Sequence, residues 1–116
     1  MSAPVTPAQA EAELRRLARK LEAKCDELPG LLRAAGAADV AYKLAYAKAL
    51  LRAEGDTVAE REARATLAVA DELTTRKTTE AVADAAKESI RALRDQLSAA
   101  QSINSNVRYT SGLETR

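Results

Sequence analysis

The amino-acid sequence predicts an all-α protein that consists of a helical hairpin followed by a long heptad helix. The protein is expected to be elongated and oligomeric. Three observations support this prediction. Leucines and other apolar residues recur at spacings of three and four along most of the chain. From Thr57 to Asn104 there is neither Gly nor Pro. About a quarter of the residues are Ala, and there is no Phe or Trp to fill a thick core. A narrow seam between helices in a single domain is therefore expected.

The first helix is predicted over residues 7–28, after a flexible start at residues 1–6. Thr6 suits an N-cap, Pro7 the first helical position, and Gln9 completes the spacing of a capping box. The Pro29-Gly30 pair predicts the end of this helix, because a proline disfavours helical geometry in the residue before it. The predicted seam of the helix consists of Leu14, Leu17, Leu21, Lys24 and Leu28.

A second helix is predicted over residues 31–54, although Gly36 weakens its first turns. Gly55 is the expected C-terminal cap. The stripe expected to face the core consists of Val40, Leu44, Ala47 and Leu51, with Tyr42, Tyr46 and Leu50 beside it.

The long helix is predicted over residues 57–104, starting from a capping box of Thr57 and Glu60. Its heptad positions are Val58, Ala65, Glu72, Thr79, Ala86, Leu93 and Ala100, with partners Glu62, Val69, Arg76, Ala83, Ile90, Leu97 and Asn104. Such a helix would be about 70 Å long at 1.5 Å per residue, too long for this chain to cover alone, so self-association is expected. A break at Thr74–Thr79 is the alternative. Residues 105–116 are predicted to be a flexible tail.

Several classes of function are disfavoured by composition. The chain has no His and one cysteine, Cys25, so we expect no metal site, no cofactor and no activated thiol nucleophile. Its four glycines are dispersed and form no phosphate loop, and most carboxylates fall in helical charge patterns, so we expect no enzyme activity. The N-terminus does not resemble a signal peptide and charges recur throughout, which favours a soluble, cytoplasmic protein with no membrane partner.

Basic residues are the main candidates for binding, because Lys and Arg donate to phosphates. The predicted DNA-binding residues are Lys43, Lys48, Arg52, Arg61, Arg64, Arg76 and Lys77. Any of them could instead be a solvated flank of a coiled coil. Arg76 occupies a seam position, where it either sets the register or opens the seam to an anionic ligand. Another locally positive segment contains Arg15, Arg16, Arg19, Lys20 and Lys24.

The two neighbouring tyrosines allow two interpretations. Tyr42 and Tyr46 lie one helical turn apart and could stack on the bases of a single strand. Packing in the core is the alternative that we favour, because both border the apolar stripe.

The run from Ala41 to Leu51, followed by Gly55, Arg61-Glu62-Ala63 and the segment 90–94, resembles small uncharacterised phage and prophage proteins. More remotely, the layout of residues 39–108 resembles the UvsY-type recombination mediators of T-even phages. That resemblance implies a ring-like homo-oligomer in the cytoplasm of the host cell. It would bind single-stranded DNA and help to load a RecA-like recombinase onto strands coated by single-strand-binding protein. The DNA-contacting cations of the family would fall nearest Arg76 and Lys77, whereas Thr74 stands where the family has a further cation.

Two other functions fit the same sequence features. A phage structural or scaffolding protein would use these helices to bind only protein. A coiled-coil regulator that caps a host enzyme would form a stoichiometric complex and show no preference for DNA. Salt dependence of binding to single-stranded oligonucleotides separates the DNA-binding function from both.

Overall fold

The computed structural model describes the backbone of residues 5–114 and the side chains of residues 5–112. Three helices occupy this range: α1 (Pro7–Arg52), α2 (Val58–Ala68) and α3 (Ala70–Glu114). No strand occurs among residues 5–114, so the all-α class is confirmed. Most of the predicted flexible start and the last two residues of the predicted tail lie outside the described residues.

α1 is one continuous helix, so the predicted break at Pro29-Gly30 and the separate helix over 31–54 are wrong. A proline inside a helix removes one backbone hydrogen bond and costs about 3 kcal/mol. Leu28 and Leu31, on either side of Pro29, are both half-buried, and this packing offsets the cost. The predicted start is confirmed: Thr6 N donates to Gln9 Oε1 at 2.9 Å, and Gln9 N donates to Thr6 Oγ1 at 3.2 Å.

The predicted long helix over residues 57–104 is interrupted at Val69, and not at Thr74–Thr79 where the alternative break was expected. Val69, with φ −112° and ψ 27°, separates α2 from α3, and its N–H donates to Ala65 O at 3.2 Å. Val69 is also buried. No Gly or Pro marks this position, so no helix-breaking residue accounts for the break.

The threonine-rich segment 74–79 remains helical. Thr74, Thr75 and Thr79 donate their hydroxyl protons to the carbonyl oxygens four residues earlier, at distances of 2.8–3.0 Å. These bonds satisfy the hydroxyls without competing for the backbone donors of the helix. The alternative of a break at Thr74–Thr79 is therefore wrong.

α3 also continues through the segment predicted to be a flexible tail. Asn104 is buried, Val107 and Ser111 are half-buried, and Arg108 donates to Glu11 Oε1 of α1 at 2.8 Å. Contacts with α1 thus outweigh the poor helix propensity of this Ser- and Asn-rich segment. The tail prediction is wrong for residues 105–114.

The chain divides into two compact units. Unit 1 comprises Met1–Glu27 and Ala86–Arg116, and unit 2 comprises Leu28–Ala85. Within unit 1, the start of α1 packs antiparallel to the end of α3, with Ala10, Leu17, Ala86, Ile90 and Ala100 buried. Within unit 2, the end of α1 packs against α2 and the start of α3, with Ala38, Ala65, Val69 and Ala83 buried.

The predicted heptad seam of α2 and α3 is the seam that each unit buries. All of its fourteen positions except Val58 and Glu62 are buried or half-buried. In each unit, α1 of the same chain covers this seam. The expectation that this seam needs another subunit to cover it is therefore wrong.

The stripe predicted to face the core in α1 is exposed instead. Val40, Leu44, Ala47 and Leu51 all lie at the surface of unit 2. The residues of this segment that are buried or half-buried against α2 and α3 are Ala38, Asp39, Tyr42, Ala45, Tyr46, Ala49 and Leu50. Because Ala occurs on both faces of this segment, its periodicity alone did not distinguish them.

Candidate nucleic-acid interface

Three of the predicted DNA-binding residues line one groove in unit 2. Lys48 and Arg52 come from the last turns of α1, and Arg64 comes from α2. The groove has a volume of about 420 Å³. Its remaining lining is Ala45, Ala49, Ala53, Ala68, Val69 and Glu72. Small side chains therefore form the floor, and long cationic side chains form the edges.

The groove cations are available to a ligand. Lys48, Arg52 and Arg64 are exposed, and none of them forms an ion pair with any residue in the described part of the chain. One carboxylate, Glu72, also lines the groove and is half-buried. Three cations against one carboxylate leave the groove positively charged, which favours an anionic ligand.

The connection between α1 and α2 fixes the start of α2, the helix that carries Arg64. Thr57 caps α2 by accepting from Glu60 N at 3.1 Å, and Glu60 Oε2 accepts from Asp56 N at 3.0 Å. Arg61 Nη1 donates to Gly55 O at 3.0 Å. α1 ends at Arg52, three residues before Gly55, and Gly55 has no positive φ, so the predicted C-terminal cap at Gly55 is wrong. A Cβ at this position would instead approach Glu60 Cβ to 3.0 Å, and the absence of a side chain allows this close contact.

Arg76 has partners within unit 2. Its Nε lies 2.8 Å from Asp39 Oδ1, and its guanidinium carbon lies 4.9 Å from the centre of the Tyr42 ring. Lys43 Nζ lies 2.9 Å from the other oxygen of Asp39. Arg76 at a seam position thus joins α3 to α1, as expected for a residue that sets register.

Asp39 is the central acceptor of this cluster. Its hydrogen bond from Lys43 and the positive charges of Lys43 and Arg76 hold the pKa of its carboxyl below the ordinary value. Asp39 was not among the residues predicted from the sequence, although its spacing of four from Lys43 is a recognisable signal of a helical ion pair.

The tyrosines contact each other. The Tyr42 and Tyr46 rings stack with their centres 6.0 Å apart, and both side chains are half-buried. Since Arg76 covers one face of Tyr42, this arrangement supports the packing interpretation over base stacking.

The structure does not gather all seven predicted residues. Lys48, Arg52 and Arg64 share the groove, Lys43 and Arg76 bind Asp39, and Arg61 binds the α1–α2 connection. Lys77 is exposed on α3 and has no ion-pair partner among residues 5–112.

The positive segment near the start of α1 is partly neutralised by carboxylates on the same helix. Arg16 forms an ion pair with Glu13, and Lys24 lies 3.4 Å from Glu27. Hydrogen bonding to Arg16 lowers the pKa of Glu13. Two of the five cations in this segment are therefore paired, whereas none of the three groove cations of unit 2 is paired within the described chain.

Within the described part of the chain, no group of three or more potential ligands is placed to hold a metal ion. Cys25 is a free, exposed thiol on α1. None of the helices described combines the length and the apolar character that crossing a membrane requires.

Comparison with known proteins gives no match: no protein-family model, curated protein or solved structure matches this chain.

Proposed function

We propose that this protein binds single-stranded DNA through the groove of unit 2. The observation that carries the proposal is the convergence of Lys48, Arg52 and Arg64 around an alanine floor, without ion-pair partners in the described chain. Phosphates spaced along a flexible single strand can each approach one of these cations. A floor of small side chains leaves room for the sugar and base.

The alanine and valine floor limits what the groove can recognise. It offers apolar contact to a base and no pattern of donors and acceptors that would distinguish one base from another. Binding should therefore depend on charge and be tolerant of sequence. Because one groove supplies only a few phosphate contacts, affinity depends on several subunits binding the same strand.

The proposal extends to a role in recombination. On the resemblance to recombination mediators, we propose a phage protein that self-associates in the host cytoplasm and helps a RecA-like recombinase to load onto DNA coated by single-strand-binding protein. The measurement for this part is strand exchange by a recombinase on coated DNA, with and without the protein. Stimulation of strand exchange supports the mediator role, and its absence at saturating DNA binding contradicts it.

The groove itself is tested by a salt titration of binding to a labelled single-stranded oligonucleotide, measured by fluorescence anisotropy. Replacing Lys48, Arg52 and Arg64 together by Ala removes three phosphate contacts. The slope of log affinity against log salt should then become shallower by about 2, at roughly 0.7 per contact on a single strand.

A matched control removes the same charge elsewhere. Arg15, Arg19 and Arg94 are exposed and unpaired within the described chain, so their joint replacement by Ala should leave most of the salt slope intact. The Arg76→Ala change is less informative for binding, because it also removes a contact to Asp39. Lys77→Ala removes a charge that has no ion-pair partner within the described chain, so it tests whether α3 contributes to DNA binding. No binding at low salt by the wild-type protein contradicts the proposed function.

A second candidate function is a structural or scaffolding protein that binds only other proteins. Exposed large apolar residues in unit 2, such as Leu44 and Leu51, favour this alternative. It predicts no affinity for oligonucleotides at any salt concentration, together with stable protein complexes.

A further inference from the structure

One carboxylate, Glu72, lines the groove of unit 2 together with its three cations. Its side chain is half-buried at a seam position of α3. Within the described part of the chain, this carboxylate forms no ion pair and no side-chain hydrogen bond, although Lys48, Arg52 and Arg64 line the same groove. A negative charge in this place weakens the attraction of the groove for phosphates. Glu72 therefore opposes the phosphate contacts that the groove cations make.

Helix formation explains part of the acidic character at this point of the chain. Asp71 and Glu72 both lie in the first turn of α3, where the helix dipole favours negative charge. Asp71 is exposed and does not line the groove, whereas Glu72 lines it at a position where a heptad seam usually has an apolar residue. The two neighbouring acids thus form a matched pair, of which only Glu72 faces a bound strand.

The side chains around Glu72 leave space for part of a ligand. Ala45 and Ala49 of α1 and Val69 line the groove with it, and none of them is large. The groove volume of about 420 Å³ falls within the roughly 300–1,000 Å³ that is typical of sites for small organic groups. A nucleobase can therefore lie on this floor beside the carboxylate.

The chemistry of a carboxylate determines which part of a DNA strand it can bind. An ionised carboxylate only accepts hydrogen bonds, and phosphate oxygens are acceptors that it repels. Apart from the terminal hydroxyls, the donors of a DNA strand lie on its bases. Each base has at least one N–H donor on its Watson–Crick edge: N6 of adenine, N4 of cytosine, N1 and N2 of guanine, and N3 of thymine. Glu72 is therefore suited to bind a base and not the backbone.

We propose that Glu72 accepts a hydrogen bond from the Watson–Crick edge of an unpaired base, so that the groove selects single-stranded over double-stranded DNA. This inference rests on the DNA-binding function proposed above and adds the residue that determines its specificity. In a duplex, base pairing already occupies these donors, whereas a single strand leaves them free. Because all four bases carry such a donor, binding stays tolerant of sequence.

This role of Glu72 also explains how a cationic groove can prefer a single strand. A duplex has the higher density of phosphate charge, so attraction by Lys48, Arg52 and Arg64 alone favours the duplex. The Glu72 carboxylate repels any phosphate that approaches the floor, and it gains a partner only when a free base lies there. The cations then hold the backbone at the edges while the base points inward.

The first experiment removes the donor from the DNA. Oligothymidine and an oligonucleotide of the same length made of N3-methylthymidine carry the same number of phosphates, but only the first has an N3–H. Fluorescence anisotropy at one salt concentration compares their affinities. The wild-type protein should bind the methylated strand about tenfold more weakly, as expected for loss of a hydrogen bond to a charged group. Equal affinity of the wild type for the two strands overturns the inference.

Two variants separate hydrogen bonding from other effects of the methyl group. Glu72→Leu keeps a side chain of similar size and removes the acceptor, and a seam position accepts leucine, so the helical circular dichroism should persist. This variant should no longer distinguish the two strands. Asp71→Ala removes a charge from the same turn outside the groove and should distinguish them as the wild type does. Discrimination retained by Glu72→Leu indicates a steric effect of the methyl group and overturns the inference.

The second experiment compares a single strand with a duplex of the same length. The wild type should bind the single strand more tightly. Glu72→Leu should raise the affinity for the duplex, because the repulsive charge is gone, and should lower the ratio of single-strand to duplex affinity by about tenfold. A ratio unchanged in Glu72→Leu, or lowered equally by Asp71→Ala, contradicts a specific role of Glu72.

Failure of this inference can be told apart from failure of the DNA-binding proposal. If the wild type binds no strand at low salt, the DNA-binding function is wrong and the inference falls with it. If binding depends on Lys48, Arg52 and Arg64 but neither N3 methylation nor Glu72→Leu changes the selectivity, only the role of Glu72 is wrong.

Discussion

Units 1 and 2 are built from the same two long helices, but they place their large apolar side chains differently. In unit 1, Leu17 and Ile90 are buried in the seam. In unit 2, the buried residues described are three alanines and Val69, whereas Leu44, Leu51 and Leu67 are exposed. Since burial of large side chains supplies most of the stabilising free energy, the buried Leu17 and Ile90 are expected to stabilise unit 1 more than any side chain buried in unit 2 stabilises that unit. An apolar stripe on a helix thus does not by itself indicate a face within the chain.

The largest expected effect comes from truncating the seam of unit 1. Leu17 is 3% exposed, so Leu17→Ala should lower the free energy of unfolding by about 2–5 kcal/mol. The matching change in unit 2, Leu67→Ala, should stay within about 0.5 kcal/mol, because this side chain is already in solvent. Urea denaturation followed by circular dichroism measures both. Equal losses for the two variants would contradict the contrast between the units.

A smaller effect is expected from the charged contact between α1 and α3 in unit 2. Arg76→Ala removes the ion pair to Asp39 and the cation–π contact to Tyr42. Together these should cost about 1 kcal/mol of unfolding free energy. Lys77→Ala, the neighbouring control, removes a charge without either contact and should change stability little. If the Arg76→Leu variant is as stable as the wild type, the two contacts of Arg76 add no net stability. The residue then only sets the register between α1 and α3.

Two glycines of unit 2 give opposite predictions. Gly36 lies inside α1 with no atom within 4 Å of an added Cβ, so Gly36→Ala should stabilise the protein by about 1 kcal/mol through helix propensity. Gly55→Ala should destabilise it by about 1 kcal/mol, because the new Cβ would meet Glu60 Cβ at 3.0 Å. Thermal melting compares the two. If Gly55→Ala stabilises the protein instead, the connection between α1 and α2 can shift to accommodate the new Cβ.

Local signals in the sequence predicted the parts of the fold that short-range contacts determine. The caps at Thr6 and Thr57 and the leucine seam around Leu17 follow from spacings of three and four residues, which need no knowledge of the partner helix. The heptad of α2 and α3 was also predictable, because its phase does not change between Ala65 and Asn104.

The failures share a physical cause, which is that packing overrides local preference. Pro29 favours a break, but the half-buried Leu28 and Leu31 on either side hold the helix together. Val69 carries no breaking signal and still ends a helix. The choice between two apolar faces of α1 depends on which one α2 and α3 cover, and a single helix does not contain that information.

The candidate site was only partly predictable for the same reason. All three groove cations were among the predicted residues, because exposed Lys and Arg on helices are visible in the sequence. Their convergence depends on how the last turns of α1 lie against α2. The ion pair of Arg76 likewise forms only because the packing of α1 against α3 brings Asp39 next to Arg76.

The smallest expected effect is a pH dependence of unit 2. The pKa of Asp39 is lowered below its ordinary value of 3.8 by Lys43 and Arg76, so its ionised form is favoured in the folded state. The stabilisation is therefore fully present above that ordinary value and is lost as the pH falls through the lowered pKa. Asp39→Asn should be less stable than the wild type at pH 6, and the difference should shrink as the pH falls below 3.8 and through the lowered pKa of Asp39.

The comparison with unit 1 sharpens this pH prediction. Glu13 also has a lowered pKa, through its hydrogen bond from Arg16, but both residues belong to the same helix. Its ion pair can persist in a partly unfolded helix, and so can the pair of Asp39 with Lys43, which has the larger effect on the pKa of Asp39. Only the additional contact of Asp39 with Arg76 requires α1 and α3 to be packed together. Glu13→Gln should therefore change the acid limb of the stability curve less than Asp39→Asn does. If the two variants shift the acid unfolding midpoint equally, the Asp39–Arg76 contact contributes no more than a pair within one helix.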